Sequence, residues 1–163
     1  MAPTRYQSAP ADASKLSQAL SFSFSKKVAK NRFLKAAMTE RLSSWDPKDF
    51  KARGIPSKNL INVYKRWGEG GFGQILTGNL MIDYDQLEAA GNPIIPLEAK
   101  FEGERFEAFK ELATLAKAHG SLIVGQVSHP GRQVEERIQA DPVSASDVQL
   151  SGMSPAKRLL LKK

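Results

Sequence analysis

Apolar positions along the chain change their period several times, and each change marks an element. Phe22-Ser-Phe24 alternates apolar and polar, residues 25–31 are a polar turn, and Phe33-Leu34-Lys35-Ala36-Ala37-Met38 is a short, largely apolar run. This pattern predicts a hairpin leading into a first buried strand. Asp46-Pro47, Gly54 and Pro56 then give residues 43–56 the chemistry of a loop. After Ser57, a plausible N-cap, Leu60, Val63, Tyr64 and Trp67 fall at i, i+3, i+4 and i+7, one stripe of a helix that Gly68, Gly70 and Gly71 would end. Phe72-Gly-Gln-Ile75-Leu76-Thr77 reads as a second strand, and residues 83–98 as a long loop around Gly91-Asn92-Pro93 and Pro96. A second helix is expected over 103–119. Glu102, Glu104 and Glu107 stand at its start, Lys117 and His119 at its end, and Phe106, Phe109, Leu112, Ala113 and Ala116 form its apolar stripe before Gly120. Ser121-Leu-Ile-Val-Gly-Gln-Val127 reads as a third strand.

The order is therefore strand, helix, strand, helix, strand. Short apolar runs rather than alternating ones predict a parallel sheet buried on both faces, an α/β fold. Three such strands do not close a barrel, which typically takes about 250 residues for eight strand–helix units. An open three-stranded sheet would also leave a hydrophobic edge. The pattern thus leaves two architectures, a small doubly wound sheet or the first part of something larger. On either side it fades: residues 1–18, rich in Ala, Ser and Pro, read as a loose leader. Ser128–Ser146 reads as polar loop, and 147–163 as weakly organised.

Composition narrows the chemistry. The chain has 163 residues, 41% of them hydrophobic and 25% charged, within the globular range. With no cysteine, a disulfide scaffold, a thiol nucleophile, an iron–sulfur cluster and a cysteine zinc site are excluded, and two histidines leave little for a histidine-rich metal site. No run of about 18 apolar residues predicts a membrane span, and MAPTRYQSAPADASKL lacks the apolar core of a signal peptide. A cytoplasmic location follows as the expectation. The net charge of +7 invites a nucleic-acid reading, but Lys157, Arg158, Lys162 and Lys163 carry four of those charges in a terminal basic tail. Lys26, Lys27, Lys30, Arg32 and Lys35 form a second cluster. Two separate clusters are not a continuous basic face, and the distribution argues against nucleic acid as a partner.

Two motifs fail on context. Gly68-Glu-Gly70-Gly71-Phe-Gly73 spells the dinucleotide fingerprint, but it follows a helix and precedes a strand, the reverse of what a pyrophosphate on a helix N-terminus needs. Ser128-His129 lacks the elbow motif of a hydrolase, and His129-Pro130-Gly131 reads better as a tight loop. The informative positions end the three strands: Ala37-Met38-Thr39, Thr77-Gly78-Asn79 and Gly125-Gln126. Parallel α/β folds bind ligands at that edge. The planar amide of Gln126 can donate and accept together, which suits a flat heterocycle with C=O beside N–H. It can equally satisfy neighbouring backbone, and the pattern leaves both readings open.

At these residues the chain resembles the old yellow enzyme family, the NADH:flavin oxidoreductase/NADH oxidase type. Three blocks carry the resemblance, in order and at suitable intervals: Lys30-Asn31-Arg32-Phe-Leu-Lys-Ala-Ala37-Met38-Thr39; Tyr64-Lys-Arg-Trp67-Gly-Glu-Gly70-Gly71-Phe-Gly73-Gln-Ile-Leu-Thr77-Gly78-Asn79 with Met81-Ile-Asp83; and Ala118-His119-Gly120-Ser-Leu-Ile-Val-Gly125-Gln126-Val-Ser128-His129-Pro130-Gly131-Arg132-Gln133. The resemblance implies a (β/α)8 TIM-barrel type, here truncated to about its first three βα units over 19–150, with 151–163 an atypical basic tail. It implies FMN at the barrel mouth, NAD(P)H as reductant and hydride transfer through the flavin to a small-molecule acceptor. Its cofactor-binding positions fall on Ala37, Met38, Thr39, Asn79 and Gln126, with Thr39 near the flavin carbonyl edge and Gln126 at the pyrimidine side. Ala37 stands where many members have proline. Asn79 stands where many have a smaller residue.

The family's substrate-anchoring pair, its proton-donating tyrosine and its phosphate-binding loops lie beyond the third strand, so catalytic residues stay unassigned. The expectation is an FMN-dependent oxidoreductase of the ene-reductase kind, incomplete and weakly active or inactive as this chain. The open barrel edge could also support self-association. The competing expectation is a non-catalytic interaction protein that uses that edge or the basic tail.

Overall fold

The computed structural model describes residues 9–146, 148 and 157–158. An N-terminal helical turn, Ser14–Ser17, occupies part of the expected loose leader. Leu16 O accepts a hydrogen bond from Arg32 N and ties this turn to the body. A two-residue antiparallel hairpin follows, β1 (Leu20–Ser21) with β2 (Val28–Ala29). Then comes β3 (Leu34–Lys35), α1 (Lys58–Glu69), β4 (Gln74–Met81), α2 (Gly103–Lys117) and β5 (Leu122–Ser128). The three strands form one parallel sheet in the order β3-β4-β5. Beyond it, β6 (Val143–Ser144) pairs in parallel with β7 (Lys157–Arg158), within a stretch expected to be loop and weakly organised tail.

Helix α1 forms where the stripe predicts it. The Ser57 side chain accepts from Leu60 N, and Leu60, Ile61 and Tyr64 are buried. The core joins α1 and α2 to one face of the sheet through Leu60, Ile61, Tyr64, Ile75, Leu112 and Ala116. Gly68 does not end the helix. It lies inside α1, and a Cβ there would stand 2.6 Å from Ala116 O, so its role is to let α1 and α2 approach closely. A second core of Met81, Leu87, Ile94, Val134 and Ile138 holds the 83–98 loop beyond the end of β4. There Met81 bridges Ile94.

The expectation of a sheet buried on both faces is corrected. Register places Lys35, Ile75 and Ile123 in one row against the helices, and Ile75 is fully buried. The opposite row includes Leu34, Leu76 and Val124, of which Leu34 is 52% and Val124 41% exposed. No further strand among the described residues pairs with the free edges of this sheet, and residues of the β1–β2 hairpin, Phe22, Ser25 and Lys27, line a cavity against Gln74, Leu122 and Val124 at one end of that row. Apolar runs alone could not distinguish a face covered by helices from one that faces the interior of an unclosed barrel. The first strand is also shorter than its apolar run, because only Leu34 and Lys35 find partners on β4. No helix among the described residues is long and apolar enough to cross a membrane.

Candidate functional site

The C-terminal ends of β3, β4 and β5 meet at one edge of the sheet, and a bulge in β4 decides which side chains share it. Leu76 pairs with Val124 and Asn79 with Gln126, so Thr77 and Gly78 together oppose Gly125 alone. The extra residue reverses the alternation of β4. Asn79 therefore joins the row of Val124 and Gln126 on the open face, while Leu80 turns to the helix side, where a Cβ on Gly125 would be 3.0 Å from it. Thr77 serves the bulge at both ends: its Oγ1 donates to Gly78 O at 2.8 Å and accepts from Gln126 N at 2.9 Å.

The segment after β3 closes the third side. A Cβ on Gly78 would overlap both Met38 O and Glu40 Oε2, so glycine is what lets residues 38–40 lie against β4 immediately before Asn79. Of the five predicted site residues, Met38, Asn79 and Gln126 are thus brought into one contiguous edge. Thr39 follows in the same segment, and Ala37 leads into it from β3. Met38 and Thr39 are exposed, and Ala37, Asn79 and Gln126 half-buried. Within the Gln126 side chain, Oε1 is buried and has no hydrogen-bond partner. A buried acceptor without a donor costs free energy, on the order of 1–3 kcal/mol. That orphaned oxygen, with the Asn79 amide beside it, fits the N–H and C=O rim of a flat heterocycle.

Three residues behind this edge, Tyr64, Glu40 and Lys35, carried no functional signal in the sequence. Tyr64, in the buried stripe of α1, donates to Glu40 Oε1 at 2.6 Å and accepts from Gly78 N at 2.9 Å. Gly78 N also reaches Glu40 Oε1 at 3.3 Å. Burial, reinforced by the Glu40 carboxylate, pushes the Tyr64 phenol up, so it stays protonated and remains a donor. Lys35 is buried beside them. Its Nζ sits 3.5 Å from the Trp67 ring centroid and 3.4 Å from Leu76 O. Burial pulls its ammonium down, and the charge of Glu40 partly restores it. A tyrosine within an apolar stripe reads as core, and Glu40 and Lys35 as solvated charges. Only their convergence across three elements shows the network.

No family model matches this chain. It is 55% identical over 139 residues to the NADH-dependent flavin oxidoreductase nadA of Aspergillus parasiticus, which covers 85% of this chain and 31% of that protein. It is 31% identical over 103 residues to the NADH-dependent flavin oxidoreductase iliE of Hypocrea jecorina, with 63% and 24% covered. The fold matches the old yellow enzyme homologue from Zymomonas mobilis at a TM-score of 0.68 and 22% identity, covering 90% of this chain and 40% of that one. It also matches morphinone reductase, solved in complex with tetrahydroNAD, at 0.64 and 20% identity, covering 85% and 34%. The chain thus spans about a quarter to a third of the length of these curated relatives. The open parallel arc is then part of a TIM barrel. Over the region it shares with them, the chain is similar to NADH-dependent flavin oxidoreductases, and its fold is the one that an old yellow enzyme homologue and morphinone reductase share there.

Proposed function

We propose that the edge formed by Ala37, Met38, Thr39, Asn79 and Gln126 holds the pyrimidine side of the isoalloxazine of FMN. The protein to which this region belongs would reduce a small-molecule acceptor with NAD(P)H through that flavin. The observation that carries this reading is the buried, partnerless Oε1 of Gln126, in register with Asn79 on the open face. An isoalloxazine presents an imide N–H between two carbonyls, which matches one amide that accepts and donates in a single plane. FMN, when bound, supplies the hydride chemistry by alternating between oxidised and reduced forms. This chain's own residues orient the ring: Gln126 and Asn79 through their amides, and the exposed Met38 and Thr39 along the neighbouring rim.

The share of the relatives' length that the chain matches sets the expected affinity. The family's phosphate contacts fall outside the three blocks of resemblance, so one rim of the ring is all that these residues grip. Titration of the purified chain with FMN, followed by quenching of flavin fluorescence, should show weak, saturable binding that is lost on gel filtration. Binding unchanged by Gln126→Ala would overturn the site assignment. Stoichiometric FMN retained through gel filtration would overturn the single-rim account.

A second reading rests on a different observation. Leu34 and Val124 are exposed in the open row, and β3 and β5 each pair only with β4 among the described residues. Such an edge can recruit another strand and support self-association or a non-catalytic partner. Sedimentation across a concentration series distinguishes this from the flavin reading, because FMN binding at Gln126 does not require association.

A further inference from the structure

We infer that Tyr64 and Glu40 are positioning residues for the strand-end edge: together they clamp the Gly78 amide and thereby hold Met38–Thr39 against Asn79. The inference rests on the flavin reading for its consequence, but its geometry stands apart from it. Three elements meet at one amide. Gly78 belongs to the bulge, whose extra residue is left out of the regular ladder between β4 and β5. A buried N–H needs an acceptor, and Tyr64 Oη takes this one at 2.9 Å, with Glu40 Oε1 a longer contact at 3.3 Å. The Tyr64 hydroxyl then passes the link to Glu40 Oε1 at 2.6 Å. Glu40 follows Thr39 directly in sequence, so fixing its carboxylate fixes the backbone of the proposed binding segment.

Steric fit tightens the same joint. There is no room for a Cβ on Gly78 between Met38 O and Glu40 Oε2, so residues 38–40 rest directly on the bulge. Tyr64 is itself held: it is buried in the α1–α2–sheet core, and its ring meets Trp67 edge-on at 4.9 Å between centroids. The chain of contact therefore runs from the rigid core through one phenol to the residues that line the open edge. Lys35 adds a charge beside Glu40, and its ammonium donates to Leu76 O at 3.4 Å.

Hydrogen exchange and ligand titration on the purified chain test this, with lumiflavin, an isoalloxazine without phosphate, as the probe alongside FMN. Tyr64→Phe should raise the exchange rate of the Gly78 amide and weaken lumiflavin binding, each by about tenfold, as expected for one lost buried hydrogen bond. The amide resonances of Thr39 and Asn79 should shift as well. Glu40→Ala should reproduce these effects. Glu40→Gln keeps an acceptor for the phenol and should restore parental exchange and binding, even if loss of its charge beside Lys35 lowers the melting temperature. A merely space-filling role predicts no such split between Gln and Ala. Parental Gly78 exchange together with parental Thr39 and Asn79 resonances in Tyr64→Phe would overturn the clamp. So would equal behaviour of the two Glu40 variants. If the unsubstituted chain binds neither lumiflavin nor FMN, the flavin reading fails by itself, and the exchange and resonance data still decide the clamp.

Discussion

The two faces of the β3–β4–β5 sheet are built from similar residues and end up in opposite environments. On the helix side, Ile75 is fully buried among Leu60, Tyr64, Leu112 and Ala116, and even Lys35 is only 6% exposed. On the other side, Leu34 and Val124 are exposed and Leu76 is half-buried. The first face carries the stability of the region, because Ile75 and the α1 and α2 residues packed on it are buried there. The second carries the candidate chemistry, because Asn79 and Gln126 reach it through the bulge. Apolar side chains at a sheet face therefore do not by themselves identify a core. What decides is whether another element lies across them.

The largest expected effect separates the faces by stability. Ile75→Ala should cost about 2–5 kcal/mol in denaturant unfolding, from lost transfer energy and the cavity left behind. Leu34→Ala, already half in water, should stay within about 0.5 kcal/mol. Comparable losses would mean that the open row is covered in solution.

Function should show the reverse ranking. Gln126→Ala should weaken FMN binding by about tenfold, corresponding to roughly 1–3 kcal/mol from a lost paired amide. Its unfolding curve should match the parent's. A destabilised Gln126→Ala with unchanged FMN affinity would make the residue structural.

A charge on the free edge probes the same contrast more mildly. Val127 is 72% exposed on β5, which like β3 has one unpaired side among the described residues. Val127→Lys should shift any concentration-dependent association toward monomer, as charged residues do on natural edge strands. Analytical ultracentrifugation at several concentrations reads this directly.

The smallest effect lies at high pH, on the packed face. Lys35 is depressed below 10.5 by burial, so between its folded value and 10.5 the unfolded chain holds more protons. Its contribution to stability therefore rises with pH through that window. Tyr64 is raised above 10.0, so above that value the folded chain holds more protons. Its contribution is complete below pH 10 and is lost as pH climbs further. Melting temperatures against pH should show the rise missing in Lys35→Met and the fall missing in Tyr64→Phe. Identical alkaline profiles in parent and variants would contradict the burial of both groups.

Much of this molecule was legible in its residues, and the reasons are local. Ser57 and the Leu60–Trp67 stripe specify α1 because capping and 3.6-residue periodicity act within a few turns of chain. The strand–helix alternation likewise specified a parallel sheet, and the ends of its strands named Met38, Thr39, Asn79 and Gln126 as candidates. Three findings needed the folded chain. The bulge at Thr77-Gly78 reverses the facing of Asn79, and no pattern of apolar residues announces a single extra residue in a ladder. Glu40, Tyr64 and Gly78 are separated by 24 and 14 residues in sequence, so their hydrogen bonds arise only once α1 packs on the sheet. The division into a covered and an open face depends on which elements cross the sheet. Local sequence determined the elements and the chemistry they offer, because propensity, capping and periodicity are short-range. Tertiary structure decided which of those groups meet and which are left facing outward, because burial belongs to the assembly of elements and not to any one of them.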